Sequence, residues 1–81
     1  MTVWVITYQV ADEDAKVLTV LRGSRYNAQV YFDAIAERYR NEGVDVEWAT
    51  VGYYERSFVT FNRLWNAEVV YSMQEVETKQ V

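Results

Sequence analysis

The chain has 81 residues, 51% of them hydrophobic, with twelve acidic and eight basic side chains for a net charge of −4. It has neither cysteine nor histidine. That removes disulfides, thiolate metal centres and the usual zinc, copper and non-haem iron sites, leaving carboxylates alone as ligands for calcium or magnesium. The acidic balance disfavours direct nucleic-acid binding and attraction to anionic membranes.

A chain of this length fills one core, so a single domain over residues 1–81 is expected, with a frayed tail from about residue 77. The amino-terminal segment lacks the basic start and small-residue cleavage site of a secretory signal, and no apolar run is long enough to cross a bilayer. A soluble cytoplasmic protein is the plain expectation. Without disulfides or a metal the fold rests on packing, so most of the seven tyrosines, three tryptophans and three phenylalanines must leave water.

Residues 2–10, rich in β-branched and aromatic side chains, read as a strand with Trp4, Ile6, Tyr8 and Val10 on one face and Val3 and Val5 on the other. An acidic turn over 11–16, holding Asp12, Glu13 and Asp14, leads to a second strand over 16–22 and so to a hairpin. Residues 23–43 then switch to helical period. Ala28, Tyr31, Phe32, Ile35, Ala36 and Tyr39 form one apolar stripe, opposite Gln29, Asp33, Glu37 and Arg40. Ser24 or Asn27 supplies an N-cap, and Gly43 sits where a left-handed C-terminal residue belongs.

Residues 44–51 alternate again, with Val44, Val46 and Trp48 opposed to Asp45 and Glu47, and Gly52 permits a turn or bulge. In the stretch YYERSFVTF, 53–61, Tyr53, Val59 and Phe61 share one parity and Tyr54 and Phe58 the other. Either a bulge shifts the phase or this strand has apolar groups on both faces. Phe58, Val59 and Phe61 are assigned to packing. A last strand over 65–76 aligns Trp65, Ala67, Val69, Tyr71 and Met73. The fold class is therefore α+β: an antiparallel sheet of four to five strands in ββαβββ order, with one helix packed on one face.

One helix leaves the second sheet face for a partner, and tyrosine, apolar with a polar tip, suits recognition as well as half-buried sheet positions. Tyr26, Tyr53, Tyr54, Arg56 and Trp65 lie at turns and element edges and are the candidate partner-binding residues. The competing account makes these rings ordinary core and sheet surface. A protein partner, itself a nucleic-acid-binding protein or complex, or a second copy forming a homodimer, fits such a surface.

Two further constellations qualify. Asp45, Glu47, Glu55 and Glu68 can line strand surfaces in imitation of nucleic-acid phosphates, although twelve acids against eight bases equally describe a solubilising face. Arg22, Ser24 and Arg25 flank a helix start and can hold a small anion or nucleotide as a sensor, or can be no more than a capped helix. No P-loop and no EF-hand pattern is present. With acid–base chemistry confined to Asp, Glu, Tyr and Lys, and no defensible carboxylate spacing, no enzyme activity and no cofactor are expected. The character is that of small accessory proteins, phage-encoded inhibitors of host systems among them.

Overall fold

The alternation in the sequence is realised as strands β1 (Thr2–Val10), β2 (Lys16–Arg22), β3 (Val46–Val51), β4 (Glu55–Asn62) and β5 (Ala67–Glu77), with helix α1 (Arg25–Asn41) between β2 and β3. The structure, a computed structural model, describes residues 2–52, 55–63 and 66–77. All strand pairs are antiparallel and the sheet order is β2-β1-β5-β4-β3. The long first and last strands therefore pair at its centre. Glu77, expected to begin a frayed tail, pairs instead with Thr2.

Helix α1 starts at Ser24, whose hydroxyl accepts the Asn27 N–H at 3.2 Å, so Ser24 rather than Asn27 is the cap. At the other end Gly43 has φ +82°, its N–H donates to the Arg40 carbonyl, and the Val44 N–H donates to the Tyr39 carbonyl, both at 3.0 Å. This is a Schellman closure, which needs the left-handed conformation that glycine adopts without strain. It swings residues 44 and 45 back over the end of the sheet.

The core lies between α1 and one face of the sheet. Ala28, Phe32 and Ala36 of the helix are buried against Trp4, Ile6, Phe58, Val69, Tyr71 and Met73. Tyr31, expected in the apolar stripe, is 46% exposed. It lies to one side of the stripe's centre, flanking the shallow groove that Leu18 and Ile35 also line.

Register brings four rings into one row across the helix-covered face: Trp48 pairs with Phe58, Phe58 with Tyr71, and Tyr71 with Tyr8. Phe58 and Tyr71 stack at 4.9 Å and 14°, while Trp48 meets Phe58 edge-on at 5.4 Å. Phe32 and Tyr39 reach down from α1 onto Phe58 and Tyr71, at 5.0 and 5.4 Å.

The phase question at 53–61 has a two-part answer. Strand β4 alternates regularly, with Phe58 and Thr60 buried against the helix and Phe61 40% exposed on the other side. Phe61 is thus not a packing residue, because its parity turns it away from α1. The extra residue sits in β3: Trp48 pairs with Phe58 and Thr50 with Ser57, leaving Ala49 unpaired in a bulge. The β3–β4 turn is closed by the Gly52 N–H on the Glu55 carbonyl at 2.8 Å, and a Cβ at Gly52 would stand 3.0 Å from that oxygen.

Candidate functional site

The sheet face away from α1 carries few rings. The pairings place Val3, Val5, Val20 and Val76 at one end, Thr7, Ser57 and Ser72 across the middle, and Val59, Val70 and Phe61 at the other end. Glu47 pairs with Val59, and Glu68 with Phe61. Asp45, Glu47 and Glu68 therefore line one shallow groove together with Val59 and Phe61. None of these three acids makes an ion pair among the described residues. The acid-framed end thus pairs an apolar centre with a charged rim, the layout of a protein-binding patch.

The sequence-predicted residues separate in space. Of the four acids, Glu55 stands apart, accepting from Gln74 Nε2 at 3.0 Å. Tyr26 is 71% exposed on the outer side of α1, away from the sheet. Tyr53, Tyr54 and Trp65 lie outside the described residues. Arg56 is a correction to the expected partner surface: its side chain is 16% exposed and Nη2 holds Asp33 at 3.0 Å, so it ties the sheet to the helix. Arg22, Ser24 and Arg25 do not converge either. Arg22 pairs with Val3 on the uncovered face, the Ser24 hydroxyl is used by the cap, and Arg25 already has a partner.

Comparison with protein-family models, curated proteins and solved structures finds no match to this chain. No helix of the described residues is long and apolar enough to cross a membrane.

On the helix-covered side, beyond the last turn of α1, the rings stop short of the sheet end and leave a cavity of about 480 Å³. Tyr8, Tyr39 and Tyr71 wall it, Val10, Val69, Thr60 and Phe61 line it from the strands, and Gly43 and Val44 line it from the turn after α1. Asp45 and Arg63 supply its charges. The Tyr39 and Tyr71 hydroxyls are 2.8 Å apart and hydrogen-bonded. Sequence reasoning places Tyr8, Tyr39 and Tyr71 on inward faces but takes them only as core. The available signal was three tyrosines on inward faces, where phenylalanine would pack without needing a partner for its hydroxyl.

Burial pushes the Tyr71 phenol well above its ordinary value of 10.0, helped by the hydrogen bond to Tyr39 and the nearby phenols of Tyr39 and Tyr8. The neutral form is favoured by folding, so this contribution is full below pH 10.0 and is lost as the pH rises above it, where the unfolded phenol ionises first. Stability measured by urea midpoint should fall as the pH is raised from about 10 upward, and Tyr71→Phe should show a shallower fall. Equal falls in both proteins would remove Tyr71 as the cause.

Proposed function

We infer that this chain is a non-catalytic protein-binding module, an accessory protein or stoichiometric inhibitor, that docks a basic protein surface on the acid-framed end of its uncovered sheet face. The observation that carries this reading is the convergence of Asp45, Glu47 and Glu68, unpaired among the described residues, around the half-exposed Phe61. A partner supplying arginines or lysines around an apolar contact matches that arrangement in both charge and shape. The surface that a nucleic-acid-binding protein offers to phosphates has this chemistry, and covering it blocks its use without any reaction. Three acids at one end of the sheet surround an apolar contact, whereas Asp12, Glu13 and Asp14 cluster in the turn between β1 and β2.

The test uses an alternating arginine–leucine peptide as probe, with a glutamate–leucine peptide and duplex DNA as controls. Only the arginine peptide should bind, with amide shifts centred on residues 45–47, 59–61 and 68–70. Its affinity should weaken on the order of tenfold between roughly 50 and 500 mM salt. The combined Asp45→Asn, Glu47→Gln, Glu68→Gln variant should lose most of it, and Phe61→Ser part of it. Binding that ignores salt, or that survives the neutralised variant, would sink this reading.

A further inference from the structure

We propose that the tyrosine-walled cavity beyond the carboxyl end of α1 is a binding site for a neutral, planar aromatic small molecule bearing a hydroxyl or carbonyl oxygen. The cavity opens on the helix-covered side of the sheet and shares Asp45, Thr60 and Phe61 with the docking groove, whereas Glu47 and Glu68 line the groove alone.

The cavity, about 480 Å³, lies within the usual range for small-molecule sites, roughly 300–1,000 Å³, and admits a mono- or bicyclic ring system. Its walls are rings and valines, which reward an apolar, flat occupant. Four hydroxyl-bearing residues line this largely apolar space: Tyr8, Tyr39, Tyr71 and Thr60. In the Tyr39–Tyr71 hydrogen bond one hydroxyl donates, so the other keeps its proton for an outside acceptor. Thr60 is the buried polar residue of the described core, 4% exposed, and lines the same space. A ligand oxygen that accepts from the tyrosine pair would use that proton, with Thr60 beside it.

Charge selects the neutral form. The tyrosine wall is desolvated, and among the cavity's lining residues only Asp45 and Arg63 carry charge, of opposite sign. An anion gains Arg63 but meets Asp45, and a cation meets the reverse. Neither charge gains enough to offset the loss of water inside the apolar walls. Planarity follows from the rings, since a puckered aliphatic body forfeits the stacked and edge-on contacts that Tyr8, Tyr39 and Tyr71 offer.

Isotopically labelled protein is titrated with naphthol, naphthoate and decahydronaphthol, which share one shape class but differ in charge and planarity. Naphthol should give saturable amide shifts confined to residues 8–10, 43–45 and 69–71. The other two should bind at least about tenfold more weakly. Tyr39→Phe and Thr60→Val each delete one oxygen at nearly constant shape, and at least one of them should weaken naphthol roughly three- to tenfold. Val10→Phe fills the sheet side of the cavity and should abolish binding; if it does not fold, the two oxygen-deleting variants decide. The site is refuted by no saturable shift, by naphthoate or decahydronaphthol binding as tightly as naphthol, or by unchanged affinity in both oxygen-deleting variants.

Discussion

Alanine at Phe58 should leave the domain largely unfolded or melting far below the parent protein. Phe58 is fully buried and lies centrally in the ring row, 5.4 Å from Trp48, 4.9 Å from Tyr71 and 5.0 Å from Phe32. Deleting a ring held from three sides removes its burial and leaves a hole its neighbours cannot easily close, at a cost of about 3–5 kcal/mol. Domains of this size are stable by on the order of 4–12 kcal/mol. The melting temperature should drop by roughly 15–35 °C. Phe61→Ala is the internal control: the same chemistry on the same strand, but at a side chain 40% exposed on the uncovered face. It should cost no more than about 1 kcal/mol. Thermal and urea unfolding followed by circular dichroism read both, and similar losses at the two positions would contradict the assigned faces of β4.

That contrast marks where the sequence was legible. Strand β1 and helix α1 each carry a strong periodic signal over many residues, and Trp4, Ile6, Phe32 and Ala36 fall inward as the periods require. Strand β4 was ambiguous because its two faces are both apolar: Phe58 fills the core while Val59 and Phe61 furnish the open face. Parity alone cannot rank two apolar faces; only the position of α1 does. Further functional geometry depended on strand order. Glu68 joins Asp45 and Glu47 because β4 lies between β3 and β5, and Tyr39 meets Tyr71 across 32 residues. Nothing local encodes such a meeting, and tyrosines that wall a cavity look the same in sequence as tyrosines that fill one.

Arg56 is the sharpest instance, and its substitutions should separate packing from charge. Its Nη2 sits 3.0 and 3.2 Å from the two Asp33 oxygens, and its guanidinium carbon lies 4.9 Å from the Trp48 ring centroid. Its Nε is buried with no hydrogen-bond partner among the described residues. The ion pair is half in water, since the Asp33 side chain is 47% exposed, so its Coulomb contribution is small. The packed stem and the contact with the Trp48 ring contribute more. Arg56→Ala should therefore destabilise by about 2–3 kcal/mol, a melting loss of roughly 10–20 °C. Arg56→Met keeps the stem, removes the unpartnered Nε and should stay within about 1 kcal/mol of the parent. Asp33→Ala strands a mostly buried guanidinium and should cost about 1–2 kcal/mol in the parent protein, but almost nothing when combined with Arg56→Met. Should Arg56→Met prove as damaging as Arg56→Ala, the charge rather than the packing holds the helix to β4. The ion pair would then be a strong net stabiliser despite its half-solvated carboxylate.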